Sequence, residues 1–133
     1  MKTYDDLDFL HFTALSSDDT IYDVTIDFSD RSYMIEHCDK KGRLIEERLS
    51  NIIRRSRMDQ LKKDLETLGL LDWKVTAEFP NTYGSCIAYS FNWDDENDFA
   101  TEADGDLAKV KVLHHLLEGV TNQTFGSYQF YEG

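Results

Sequence analysis

His37-Cys38 and His114-His115 are adjacent soft-ligand pairs in this 133-residue sequence, and the chemistry such residues would support is zinc ligation. Their spacing argues against it. Neighbours on a strand point to opposite faces, so His37 and Cys38 do not share a metal. On a helix His114 and His115 stand roughly 100° apart, unlike an i,i+4 ligand pair. Each histidine reads as a hydrogen-bonded or surface residue, and neither a metal nor a cofactor is expected. The run Asp94, Asp95, Glu96 and Asp98, followed by Glu102, Asp104 and Asp106, raises calcium instead. A calcium loop of the EF-hand type needs glycine at position six and glutamate at twelve. A loop opened at Asp94 puts Phe99 and Gly105 there, and both fail. The run then reads as a solvated turn, as a weak cation site of another kind, or as an anionic ridge facing a partner. No glycine-rich phosphate loop, G-x-S-x-G elbow or H-E-x-x-H is present. Among 26 acids any carboxylate pair can be accidental, so no catalytic residue is assigned and no enzyme is expected.

Cys38 and Cys86 lie in strand contexts and read as two reduced, packed thiols, since a disulfide-built domain of this size carries more cysteines at closer spacing. The elements that carry these residues follow from periodicity. Phe9–Ala14 is a short first strand, and Ser16 to Asp19 a turn. Ile21–Phe28 alternates, with Tyr22, Val24, Ile26 and Phe28 on one face and Asp23, Thr25 and Asp27 on the other. Ser29 to Arg31 turns the chain into Ser32–Cys38, which carries Tyr33 and Ile35 inward. A second turn at Asp39–Gly42 leads to a third strand over Arg43–Leu49.

The spacing of Met58, Leu61, Leu65 and Leu68 predicts a helix over Arg57–Leu68, capped by Ser56 with Asp59 behind it and ended by Gly69. Lys74–Phe79 and Cys86–Trp93 read as strands, the second with Ile87, Tyr89, Phe91 and Trp93 on one face. Pro80 to Gly84 is loop chemistry, and the Asp94–Asp98 run ends the strand before a short return at Phe99–Glu102. Asp106 caps a second helix, Leu107–Gly119, whose stripe is Val110, Leu113, Leu117 and Val120. Phe125–Tyr131 is an aromatic strand or tail. Strands in runs, broken by two helices, predict one α+β domain over 1–133. Its antiparallel sheet has about five or six strands, with both helices packed on one face. The expected core is Tyr22, Val24, Ile26, Phe28, Leu61, Leu65, Ile87, Tyr89, Phe91, Leu113 and Leu117.

Charge is the most informative feature. The net charge is −12, from 26 Asp and Glu against 14 Lys and Arg. Residues 1–30 hold eight acids against Lys2 alone, residues 31–74 carry +3, and residues 75–133 hold ten acids against Lys109 and Lys111. Direct binding to nucleic-acid phosphates or to an anionic membrane is not expected of such a chain. No apolar run reaches the ~18–20 residues of a membrane span, and the acidic start resembles no signal peptide, so a cytoplasmic location is expected. Asp23 and Asp27 would stand ~13 Å apart along one strand face. With acids on neighbouring strands and loops, such a face approaches the spacing of DNA phosphates, ~3.4 Å per strand. In size and charge alone the chain resembles anti-CRISPR and other phage counter-defence proteins. That resemblance implies a small inhibitor seated on a basic, nucleic-acid-handling protein, and the acidic clusters Asp23 and Asp27, then Asp94, Asp95, Glu96 and Asp98, are the residues expected to bind it. An immunity protein neutralising a cognate bacterial toxin is the alternative. Both explain the charge by electrostatic steering toward a basic nuclease or toxin.

Overall fold

A computed structural model describes residues 3–15, 20–72, 75–76, 85–91, 94–100 and 107–125, with side chains over 3–14, 20–72 and 108–125. Tyr4–Asp6 forms a 3₁₀ turn, followed by strands β1 (Leu7–Leu15), β2 (Ile21–Asp27), β3 (Ser32–Cys38) and β4 (Leu49–Ile52). Helix α1 (Arg55–Leu68) and a 3₁₀ turn at Leu70–Asp72 come next. Strands β5 (Val75–Thr76), β6 (Ser85–Phe91) and β7 (Asp94–Ala100) and helix α2 (Leu107–Thr121) complete the order. The fold is α+β and its strand pairs are antiparallel. The first four strands form a meander, and β6, β7 and β5 extend it beyond β1, giving the order β4-β3-β2-β1-β6-β7-β5. The count departs from the expected five or six.

Register explains why one face is dry. Leu10 pairs with Ile26 and Phe12 with Val24, while Val24 pairs with Ile35 and Ile26 with Tyr33. All of these are buried, with Phe28 and Ala14 beside them. Met58, Leu61 and Leu65 of α1 and Val110, Leu113 and Leu117 of α2 join the same cluster, so both helices cover that face. Of the expected core residues, seven are buried as read, and Tyr22 is only half-buried against the cluster. The side chains of Ile87, Tyr89 and Phe91 lie outside the described residues, as do the turn at 16–19, the loop at 80–84, Trp93, Asp106 and Tyr131.

Four local expectations are corrected. The third strand is not Arg43–Leu49. The Asp39 carboxylate accepts the backbone N–H groups of Lys41 and Arg43 at 2.9 and 3.0 Å, making a tight turn in which Gly42 sits at φ 81°. After it Leu44 makes a lone bridge to Cys38, and the ladder resumes only at Leu49. Helix α1 starts earlier than Ser56. The Ile53 N–H donates to the Arg31 carbonyl at 2.6 Å and the Met58 N–H to the Arg54 carbonyl at 2.9 Å. Strand therefore passes into helix with Arg54 at the N-cap, whose side chain makes no capping hydrogen bond.

The third correction is at Asp94–Asp98, which is strand β7 and not a turn. Pairing with β6 overrides the poor strand propensity of Asp and Asn. Finally, α2 runs two residues past Gly119 and ends where Asn122 takes a left-handed φ of 55°, a conformation Asn tolerates. Gly69 closes α1 as expected, at φ 78°, donating its N–H to the Leu65 and Glu66 carbonyls.

Candidate functional site

The face of the sheet opposite the helices carries the charged residues of β2. Asp23, Thr25 and Asp27 alternate with the buried Val24 and Ile26, and all three are half-exposed. By register Asp23 lies opposite Thr13 of β1 and Glu36 of β3. Directly opposed carboxylates repel. Arg48 relieves the pair by donating from Nε to Glu36 Oε2 at 3.0 Å. Partial burial pushes the Asp23 carboxyl above its ordinary range; His11 on β1 pulls it back and Glu36 adds to the rise. His11 itself lies 3.1 Å through Nδ1 from Thr25 Oγ1 and stacks on Phe9 at 6.0 Å. Asp27 has local work, since its Oδ1 accepts the Asp30 N–H at 2.9 Å and holds the β2–β3 turn. Of the two β2 carboxylates, Asp23 is the one presented by the strand itself.

The second acidic cluster belongs to the same sheet. Asp94 is paired with Phe91 and Asp98 with Tyr89 across β6, with a register shift between. Strands β1 and β6 separate β7 from β2, a lateral distance of ~14 Å at the usual strand spacing. The side chains of Asp94, Asp95, Glu96 and Asp98 lie outside the described residues.

The histidines are held individually. His37 stacks on Tyr22 with ring centroids 4.0 Å apart. Its Nε2 lies 2.6 Å from Thr20 Oγ1 and its Nδ1 2.9 Å from Glu46 Oε2. Cys38, on the opposite face of β3, is a half-exposed free thiol. Desolvation pushes its pKa up, Glu36, Asp23 and Asp39 add to the rise, and Arg48 opposes them, so the reactive thiolate is disfavoured. His114 is buried and His115 exposed on α2. Among the described residues no three His, Cys, Asp or Glu converge as a metal-ligand set. Between the helices a cleft of about 240 Å³ is lined by Arg57, Gln60, Leu61, Asp64, His115 and Leu116 with Gly119 and Val120. It brings no nucleophile and base together.

Reading the sequence missed two groups that act on Asp23, His11 and Glu36, and the Arg48 that pairs with Glu36. Glu36 was within reach, because a hairpin turning at Ser29–Arg31 and pairing Asp27 with Ser32 must also pair Asp23 with Glu36. Arg48 approaches through the irregular segment before β4, for which no periodic signal exists. No protein-family model matches this chain, and no curated protein matches it. Among the described residues the fold is α+β, with both helices on one face of the β1–β4 strands and the charged residues of β2 on the other. Among the described residues no helix is long and apolar enough to cross a membrane.

Proposed function

We propose that this chain is a small, acidic, non-enzymatic inhibitor that binds a basic, nucleic-acid-handling protein, of the anti-CRISPR or phage counter-defence type. The observation that supports the reading is Asp23, with Asp27, on the sheet face left open by the helices in a chain of net charge −12. Such a surface attracts a cationic groove before contact, and a carboxylate already partly desolvated gives up less hydration when a partner covers it. A strand also fixes the carboxylate's position, which lowers the ordering cost of binding. Strand β7 places the second acidic run in the same sheet, extending the anionic surface laterally on this reading.

The experiment is capture of a partner from host cells and its identification by mass spectrometry. The partner's affinity is then measured for the wild type and for Asp23→Lys at two salt concentrations, with thermal melts as the folding control. A cationic, nucleic-acid-binding partner that DNA displaces, and that Asp23→Lys weakens about tenfold or more, is the expected result. A toxin encoded beside this chain would make it an immunity protein. An acidic partner, or unchanged affinity and salt dependence in a folded variant, overturns the reading.

A further inference from the structure

Strand β4 ends the sheet, and no described strand pairs with its outer side. Proteins usually blunt such an edge with charge, proline or a bulge. Here Leu49 is 45% exposed and Ile52 74%, and the adjoining Leu44 and Ile45 are exposed as well. The backbone is also available. Because the Ile53 N–H bonds the Arg31 carbonyl, alternation gives Asn51 and Leu49 the inward hydrogen bonds and turns the N–H and C=O of Ser50 outward. The next outward N–H, that of Ile52, is held by Asn51 Oδ1 at 2.8 Å.

The sign of the charge identifies the occupant. Residues 40–57 hold Lys40, Lys41, Arg43, Arg48, Arg54, Arg55 and Arg57 against Glu46 and Glu47, a local excess of five positive charges in a chain of net −12. Arg43 and Arg48 are engaged with Asp39 and Glu36, whereas Arg54, Arg55 and Arg57 are exposed at the start of α1. Two copies meeting β4 to β4 would bring like charge against like charge. A phosphate backbone would satisfy the arginines but leave Leu49, Ile52 and the outward backbone of Ser50 against water. A strand with apolar residues on the face it shares with Ile52 and carboxylates on the other covers Ile52, pairs with the outward backbone of Ser50 and brings negative charge toward the arginines, while Leu49 lies on the other face of β4. Beside the edge, Phe9, Thr25, Asp27, Met34, Ser50 and Ile52 border a shallow hollow of about 440 Å³ on the open face, where an apolar side chain of the incoming strand can rest.

We propose that the β4 edge receives an extended, acidic peptide segment of a partner protein as an added strand. The arginines at the start of α1 have the opposite sign to the Asp23 carboxylate, and the proposal does not depend on the inhibitor reading.

The test is NMR titration of the full chain with a synthetic peptide of about nine alternating valines and glutamates, blocked at both ends. A peptide with lysine in place of every glutamate is the control. Saturable shifts centred on Leu44–Arg55 are expected, weakening as salt rises and absent with the lysine peptide. Ile52→Glu, and separately the double reversal Arg54→Glu/Arg55→Glu, should each weaken binding about tenfold or more. Lys63→Glu, on the exposed side of α1, should leave it unchanged, and thermal melts confirm that each variant is folded. Absence of saturable shifts at this edge, or equal binding of the lysine peptide, overturns the proposal. Self-association that Ile52→Glu abolishes and the acidic peptide does not compete with also overturns it, and assigns the edge to a second copy.

Discussion

His114 Nε2 lies 2.6 Å from the Phe125 carbonyl oxygen while the two rings stack, with centroids 4.8 Å apart. The polar contact requires Nε2 to carry the proton and donate. One turn further along α2, Glu118 Oε2 accepts the Phe125 N–H at 2.9 Å. Both backbone groups of Phe125 are thus held by one helix face, and its ring is buried near Phe12 and Tyr22.

This clamp makes stability depend on pH. Burial pushes the His114 pKa below its ordinary value of 6.5, against the Phe125 carbonyl and Glu118, which favour the proton, and with His115, which disfavours it. The unfolded chain therefore binds the proton first. His114's contribution is fully present above pH 6.5 and is lost as pH falls through the depressed folded value. Melting temperatures should drop through this acid window in the wild type, and His114→Gln should flatten that drop. An unchanged acid slope in the variant would show that another group is responsible.

Asp23 has the opposite linkage. Its carboxyl titrates higher in the fold than its ordinary 3.8, so the relative stabilisation is present below that value and lost as pH rises through the folded pKa. Asp23→Asn should be at least as stable as the wild type at pH 7 and should lose less stability as pH rises from 4 to 7. Urea titrations at a series of pH values measure both. A less stable variant at pH 7 would mean that the charge at Asp23 supports the fold.

Phe12 is fully buried on β1 and touches the rings of His114 and Phe125. Phe12→Ala should cost about 3–5 kcal/mol. That is a large part of the ~5–15 kcal/mol that holds a domain together. Denaturant midpoints, with the slope checked for constancy, give the number. A cost under about 1 kcal/mol would place the centre of the core elsewhere.

Arg54 occupies an N-cap with extended backbone, φ −60° and ψ 145°, but supplies no cap, and no acid stands in the first turn of α1. A carboxylate there accepts an orphan N–H and faces the positive end of the helix dipole. Arg54→Asp should therefore stabilise the protein by about 1 kcal/mol while weakening capture of the acidic peptide at β4. Calorimetry and the peptide titration read the two effects separately. A variant that loses stability would show that Arg54 supports the fold through its own side chain.

The parts of the fold legible in the sequence are those where one periodicity ran uninterrupted. β2, β3 and the stripes of α1 and α2 show this, because alternation or 3,4 spacing records directly which side faces the core. Turn chemistry was legible too, at Asp39–Gly42 and Gly69. What escaped was set by tertiary contact. Asp94–Asp98 is a strand because β6 is there to pair with it, and Ser56 is bypassed as a cap because β4 runs directly into α1. Asp23 and Asp27 were legible as a shared face. That Asp27 serves its own turn and Asp23 faces a second carboxylate depends on register, which a list of strands leaves open.

The central position of β1 has a kinetic consequence. On one side it pairs with β2, a neighbour in sequence; on the other, Leu10 meets Tyr89, 79 positions away. Pairings this distant close large loops and form late relative to hairpins. The β1–β4 meander is thus the natural early structure, and until β6 arrives β1 shows an unpaired backbone edge beside the apolar side chains of Leu10 and Phe12. Folding should accordingly have a concentration-sensitive interval, in which β6 competes with other chains for that edge.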